Sequence, residues 1–215
     1  MKKILLTLTL LFGLILPVFS ADNLIPEQTC LKYTNTIGLY QASDRIVLYK
    51  EPNEQSDLIY SIKWNKNGVF PDTLTFNDLF VVFMPSKYLA YMAVTDETDD
   101  WVEVIYNNST GDRAWMKKDD PYKFSNWVTF FNMYGRKYGL KILSGAPDII
   151  KDLKSATDDK SQTIARVNIP SRINLNVIRG NWALVSIMDL DRTPKTGYMR
   201  WRGDDGVKYL FPDIK

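Results

Sequence analysis

The chain has 215 residues, 45% of them hydrophobic and 13% aromatic, which gives enough apolar surface for one large or two small cores. Its 27 basic and 25 acidic residues nearly balance, and no long basic run is present, which argues against a nucleic-acid partner. Histidine is absent, which eliminates imidazole-dependent triads, imidazole proton relays and histidine-ligated zinc sites.

The first 20 residues predict a secretory signal peptide of bacterial type. Lys2 and Lys3 give a positive start, residues 4–18 are almost wholly apolar, and small residues lie around Ser20, where we expect cleavage. Cleavage after Ala21 is the alternative. The apolar run is too short for a comfortable membrane span, and no later stretch approaches about 20 apolar residues. We therefore expect an exported protein, periplasmic or extracellular, that does not contact the membrane after cleavage.

Cys30 is the only cysteine, so no disulfide can form within the chain. The residues before it, Glu27-Gln28-Thr29, lack the small and aliphatic character of a bacterial lipid-attachment site. Two states of the thiol stay open. It is either buried near the start of the first domain or bridges two chains.

Short strands are predicted along the first half of the chain, at residues 37–40, 46–49, 58–64, 79–84 and 88–95. The alternation of Leu58, Tyr60, Ile62 and Trp64 is typical of a strand that buries one face. Residues 65–78 include glycine and proline and predict a long loop.

Two stretches look like copies of one motif. In the first, Trp101-Val102-Glu103-Val104 leads through a polar turn to Ala114-Trp115-Met116. In the second, Trp182-Ala183-Leu184-Val185 leads to Gly197-Tyr198-Met199. Each stretch predicts a β-hairpin. The repeat predicts two related small β domains, because each copy must bury the same face.

One helix is predicted between the copies. Ser125 is placed to cap it and Gly139 to end it. Between them, aromatic residues recur at helical spacing, at Trp127, Phe130, Phe131, Tyr134 and Tyr138. We expect this stripe to be buried and to dock the two β domains together, because an exposed aromatic face of that size promotes aggregation.

Further strands are predicted beyond the helix, at residues 140–143, 162–167, 173–178, 182–188, 197–201 and 207–211. Turn residues separate them. Strands this short at this spacing favour a small barrel or sandwich over any α/β fold.

The order of motifs in the first copy resembles the bacterial SH3-like (SH3b) domain family. Residues 48–56 resemble the family's long first loop. Trp101 with Val104 resembles its Trp-x-x-Val strand, and residues 114–116 resemble its closing Gly-Trp-aliphatic strand, with alanine at the usual glycine position.

The second copy repeats that resemblance in the same order. Residues 153–161 take the place of the first loop, Trp182 with Val185 that of the Trp-x-x-Val strand, and residues 197–199 that of the closing strand. Gly180-Asn181 takes the place of the turn before the Trp.

The resemblance implies a mainly β chain of two small SH3-like β-barrels joined by one aromatic-rich helix. The expected segments are a signal peptide at 1–20, a first SH3-like domain at 21–122 with an insertion at about 65–88, a connecting helix at 123–139 and a second SH3-like domain at 140–215. Members of the family are commonly exported and implicated in binding peptidoglycan or its stem peptides. The resemblance therefore implies a non-catalytic binding protein for peptidoglycan or peptide ligands.

Candidate binding residues lie on the closing strands, at Trp115, Tyr198, Arg200, Trp201 and Arg202. The rings of Trp115 and Tyr198 suit a barrel lid and a groove wall equally. Arg200 and Arg202 share one strand face and Trp201 lies on the other, so two guanidinium groups are placed to bind a carboxylate beside aromatic walls. The competing interpretation pairs these arginines with Asp204 and Asp205 in surface salt bridges.

Two other functions stay open. A protein-interaction or inhibitor module would dock an exported partner protein through the insertion, whose phenylalanines would then be partly exposed at Phe70, Phe76, Phe80 and Phe83. An enzyme would need two carboxylates facing each other across a pocket. The acidic pairs of the chain lack the spacing of a calcium loop, and we expect no metal and no cofactor.

Overall fold

The computed structural model describes residues 29–30, 33–65, 68–70, 73–168 and 172–214, with the backbone alone described at Phe70. The predicted signal peptide lies outside these residues. The described chain is mainly β, and its sheets do not close into a barrel. Nowhere in that part does a helix reach the length and apolar character needed to cross a membrane.

Nine strands, β1 to β9, build the first sheet, at Gly38–Gln41, Arg45–Tyr49, Leu58–Asn65, Gly68–Phe70, Val82–Met84, Leu89–Glu97, Trp101–Asn107, Asp112–Lys117 and Phe124–Asn126. They lie in the order β4-β3-β2-β8-β7-β6-β1-β9, and β5 pairs with β6. The loop predicted at 65–78 is wrong in part, because it contains β4 and a short helix, α1 (Phe76–Leu79). Thr75 and Asp78 begin α1 with a reciprocal capping box.

The insertion packs its phenylalanines into the first sheet. Phe80 and Phe83 are buried and stack with ring centres 4.8 Å apart, and Phe76 stacks on Phe83 at 5.8 Å. Trp64 meets Phe83 edge-on at 5.4 Å. The side chain of Phe70, the fourth of these phenylalanines, lies outside the described part of the structure. Phe80 and Phe83 are therefore not available to a partner protein, which weakens the docking alternative.

Seven strands, β10 to β16, follow in the second half, at Leu140–Ile142, Asp152–Lys154, Thr163–Arg166, Asn174–Arg179, Trp182–Met188, Pro194–Arg200 and Leu210–Pro212. Five of them form a sheet in the order β12-β11-β15-β14-β13, and β10 pairs with β16. Two 3-10 turns are also described, at Pro85–Lys87 and Asp148–Lys151.

Both halves contain the same five-stranded pairing pattern. The strands β3-β2-β8-β7-β6, which we call the first copy, correspond to β12-β11-β15-β14-β13, the second copy. The two predicted hairpins, β7–β8 and β14–β15, are confirmed. In each copy, one residue pair joins the strand that comes first along the chain to the strand that comes last. The pair is Tyr49 with Trp115 between β2 and β8, and Lys154 with Tyr198 between β11 and β15. These pairs occupy the positions at which the two sequences align.

The first loops also match in their hydrogen bonds. The Ser56 hydroxyl accepts from the Glu51 N–H at 3.0 Å, and the Ser161 hydroxyl accepts from the Ala156 N–H at 3.4 Å. Each serine lies eight residues after the leucine that begins its loop. The repeat read from the sequence is therefore present in the structure, down to individual turn contacts.

One helix, α2, separates the copies and consists of Trp127–Phe130, a π turn at Phe131–Gly135 and a last turn at Arg136–Tyr138. Asn126, not Ser125, is its N-cap, because the Asn126 side chain accepts from the Thr129 N–H at 2.9 Å. Ser125 belongs to β9 instead. Gly139 ends the helix with a φ of 83°, as predicted.

The aromatic face of α2 contacts both halves of the molecule. The Phe130 ring centre lies 5.4 Å from that of Tyr91 in β6 and 5.9 Å from that of Phe211 in β16. Phe131 lies 4.6 Å from Trp201. These residues belong to one hydrophobic core that includes buried residues of β1, β5 and β6, and a second core lies within the first sheet. Burial of the stripe is confirmed for its first three residues, while Tyr134 and Tyr138 are half-buried.

Cys30 is buried, with 3% of its surface exposed. Its thiol donates to the Leu143 carbonyl at 3.9 Å, and its N–H donates to the Ser144 carbonyl at 3.1 Å. Burial raises the pKa of the thiol. Of the two states left open by the sequence, burial is the one found.

Candidate functional site

A hollow of about 450 Å³ opens on the second copy, between its first loop, the β13–β14 turn and β15. We call it the second-copy hollow. Its lining residues are Ser155, Ala156, Thr157, Arg179, Gly180, Asn181, Trp182, Tyr198 and Asp204. Gly180 has a φ of 57°, which permits the tight turn that sets Arg179 opposite Trp182 in the hairpin.

Arg179 is the open cation of this hollow. Its Nη1 donates to the Tyr198 hydroxyl at 3.2 Å. It is exposed, and no described carboxylate forms a salt bridge with it. A guanidinium held beside a phenol is suited to binding a carboxylate or another anionic group.

Arg200, predicted to contact ligand, is already held by two carboxylates. Its Nη2 and Nε donate to Asp159 at 2.7 and 3.1 Å, and its Nη1 donates to Asp204 at 3.2 Å. The bond to Asp159 raises the pKa of Arg200, while bonds from Asn181 and then Arg200 lower the pKa of Asp204. Arg200 also lies over the Trp182 ring, 5.0 Å from its centre. It thus fixes the first loop to β15.

The first copy contains the same connection. Lys117 of β8 forms an ion pair with Glu54 of the first loop, at the positions that match Arg200 and Asp159. We call each of these ion pairs a loop clamp. Its presence in both copies indicates that Arg200 has a structural role, close to the salt-bridge interpretation, although the partners are Asp159 and Asp204 rather than Asp204 and Asp205.

Trp201 and Arg202 lie behind the turn rather than in the hollow. Trp201 is fully buried, and its Nε1 donates to the Gly180 carbonyl at 2.8 Å. Contrary to the expectation of an aromatic groove wall, it is a core residue. Arg202 donates from Nε to the Asn181 side chain at 2.9 Å and lies over the Trp201 ring at 4.9 Å. Both residues support the turn that presents Arg179.

Trp115 lies on the first copy, far along the chain from the other candidates, and is half-buried opposite Glu103 and Tyr49. At the position that matches Arg179, the first copy has Thr98, whose hydroxyl accepts from the Trp101 N–H at 3.1 Å. The first copy therefore lacks a cation at this position, although the exposed Arg45 of β2 lines its own hollow. Its own hollow, about 250 Å³ beside β2 and β8, does not include Trp115 in its lining.

Acidic residues concentrate around another hollow of about 380 Å³, lined in part by Glu97, Asp99, Asp100, Asp119 and Asp120. Lys118 lies in the same lining and binds Glu97 at 2.7 Å. Across the described part of the chain, no three acidic or cysteine side chains are grouped to hold a metal ion.

The second-copy hollow combines an open guanidinium, a phenol, the Asp204 carboxylate held by Arg200 and the backbone of a clamped loop. Of the five predicted residues, Tyr198 lines the hollow, while Arg200 lies outside the lining and donates to the lining residue Asp204. Arg179 is not among the predicted residues. The Gly180-Asn181 turn was a usable signal for it, because the two residues that flank a two-residue turn, here Arg179 and Trp182, lie opposite each other in the hairpin. No protein-family model matches the chain, and no curated protein and no solved structure matches it either.

Proposed function

We propose that this protein is a non-catalytic, exported binding protein that recognises cell-wall peptidoglycan or a peptide ligand through tandem SH3-like domains. The observation that carries the proposal is the second-copy hollow, where the Arg179 guanidinium lies open beside Tyr198. Peptides offer the carboxylate and the small apolar groups that such a pair of side chains binds.

The repeated strand pattern supports the SH3-like interpretation. Each copy is a five-stranded antiparallel sheet in which the first strand along the chain pairs with the last, as in a small barrel. The sheets stay open because β3 does not pair with β6, and β12 does not pair with β13, among the described strands. The proposed domains are therefore open barrels with their binding faces beside the closing strands.

The ligand is assigned to the second copy. Thr98 takes the place of Arg179 in the first copy and uses its hydroxyl within its own turn. A neutral, internally bonded side chain offers no charge to an anionic ligand. The first copy then serves as a scaffold that holds the second through α2.

Co-sedimentation with purified peptidoglycan sacculi tests the proposal, using mature protein of residues 21–215. The wild type is expected to be retained. Arg179→Ala removes a charge-assisted contact, worth about 1.5–3 kcal/mol, and is expected to weaken retention at least tenfold. Tyr198→Ala is expected to act in the same direction. Lys195→Ala, on β15 outside the lining, is the matched control and should be retained like the wild type.

Two results would count against the proposal in different ways. Retention that survives both Arg179→Ala and Tyr198→Ala would move the site away from the second-copy hollow. No retention of the wild type would exclude sacculi, and calorimetric titration with soluble stem peptides would then decide whether any peptide is bound. Failure of both assays would exclude this function.

A further inference from the structure

A larger hollow, about 830 Å³, lies where the C-terminal end of α2 meets β10 and the 3-10 turn at Asp148–Lys151. We call it the α2–β10 groove. Its lining residues are Lys137, Tyr138, Leu140, Lys141, Ile142, Leu143, Ser144, Ala146, Lys151, Val167, Arg172, Ile173 and Asp213. It shares no residue with the second-copy hollow.

The floor of the groove is apolar. Leu140, Leu143, Val167 and Ile173 line it and are buried within the core shared by both halves. Ile142 is half-buried and packs against the same core. A floor of this kind gains free energy when a ligand removes its remaining apolar surface from water.

The rim of the groove is cationic. Lys137, Lys141 and Arg172 line it, and none of them forms a salt bridge with any described residue. Lys151 differs, because it is neutralised by Asp148 at 2.8 Å. Asp213 is the one acidic residue in the described lining. The groove thus combines an apolar floor with an excess of uncompensated positive charge.

We propose that the α2–β10 groove binds one molecule of a free fatty acid, with its alkyl chain along the floor and its carboxylate among Lys137, Lys141 and Arg172. Each buried methylene contributes about 0.8 kcal/mol, so a chain of moderate length supplies most of the affinity. The cations supply the preference for a negative head group. The volume lies within the range of pockets that enclose a single small ligand, which distinguishes this site from a flat membrane-binding face.

Isothermal titration calorimetry with dodecanoate, kept below its micelle concentration, tests this proposal. One molecule is expected to bind per protein. Dodecan-1-ol and dodecyltrimethylammonium have the same chain with a neutral or positive head, and each is expected to bind at least tenfold more weakly. Equal affinity for the three head groups would overturn the role of the rim.

Variants test the two parts of the site separately. Lys137→Gln/Lys141→Gln removes two rim charges and is expected to weaken dodecanoate binding at least tenfold. Ala146→Trp fills the groove without changing its charge and is expected to abolish binding, with Ala146→Leu as the smaller replacement if circular dichroism shows that the first variant does not fold. Lys195 and Arg179 lie outside the groove, so Lys195→Ala and Arg179→Ala should each bind dodecanoate with an affinity within twofold of the wild type.

Three results would overturn the proposal. The first is the absence of binding heat with dodecanoate, and the second is unchanged affinity in the rim and filling variants. The third is occupation of the groove by the protein's own N-terminal segment, because Thr29 forms a β-bridge with Ser144, one of the lining residues. If dodecanoate binds only after residues 21–28 are deleted, the protein's own N-terminal segment is the occupant.

Discussion

Lys208 is a buried lysine without a carboxylate partner among the described residues. Only 2% of its surface is exposed. Its Nζ donates to the Tyr33 carbonyl and, at 3.4 Å, to the Thr36 hydroxyl, and lies 4.6 Å from the centre of the Trp127 ring. Burial and, secondly, repulsion from Arg202 lower the pKa of Lys208 to about 7. This one side chain links the N-terminal segment, α2 and the second half.

Because the pKa of Lys208 is lowered in the folded state, we predict that the free energy of unfolding rises as the pH increases from about 7 towards 10. In that range the unfolded lysine, with a pKa of 10.5, holds more protons than the folded one, so the free energy of unfolding increases by up to about 1.4 kcal/mol per pH unit. Below pH 7 both forms are charged and the slope disappears. Urea unfolding between pH 6.5 and 9 should show this slope in the wild type and lack it in Lys208→Met. Parallel curves would contradict it.

Gly197 occupies the position of Ala114 in the first copy, but it has no room for a methyl group. An added Cβ would lie 2.7 Å from the Lys154 carbonyl and 2.9 Å from Leu153 Cγ. Gly197→Ala is therefore expected to lower the free energy of unfolding by about 1–3 kcal/mol. Thermal unfolding measures this, with Lys195→Ala on the same strand changing by less than about 0.5 kcal/mol. An unchanged midpoint for Gly197→Ala would show that the β11 backbone shifts to make room for the methyl group.

At the scale of elements, each loop clamp joins the first loop of its copy to the closing strand. Arg200→Ala removes the clamp of the second copy. Because exposed ion pairs contribute about 0–1 kcal/mol, global stability should change little. Hydrogen exchange of residues 155–160 should nevertheless accelerate, and that of residues 50–55 should not, since the first copy keeps its own clamp. Equal exchange in variant and wild type would mean that turn hydrogen bonds alone hold the loop.

Elements with a strong local pattern were predictable from the sequence. Both Trp hairpins and the aromatic helix follow from periodicity, whereas β9 and β11, three residues each, carry too little pattern to be read. The alternation of side chains along a strand correctly places Trp201 and Arg200 on opposite faces. Alternation does not show which face points into the core, and the prediction of Trp201 as a groove wall is wrong for that reason. Arg179 meets Tyr198 only through the strand register, which sequence spacing does not give.

At the scale of the whole molecule, α2 makes the two halves interdependent. Phe130 touches Tyr91 on one side and Phe211 on the other, so Phe130→Ala leaves a cavity between the halves and is expected to cost about 3–5 kcal/mol. Urea unfolding followed by tryptophan fluorescence and by circular dichroism should give one coincident transition at lower urea. Val128→Ala, at an exposed position of α2, is the control. Two separate transitions would contradict a shared core.

The insertion in the first copy joins β3 to β6, two strands that do not pair with each other. Extra chain at this point therefore breaks no ladder and shifts no register. In engineering terms, the connection is a tolerant site, already used once by the protein itself. Because the second copy has the same pairing, the corresponding position is its connection between β12 and β13, where the buried Val167 and Ile173 flank the residues that could be lengthened.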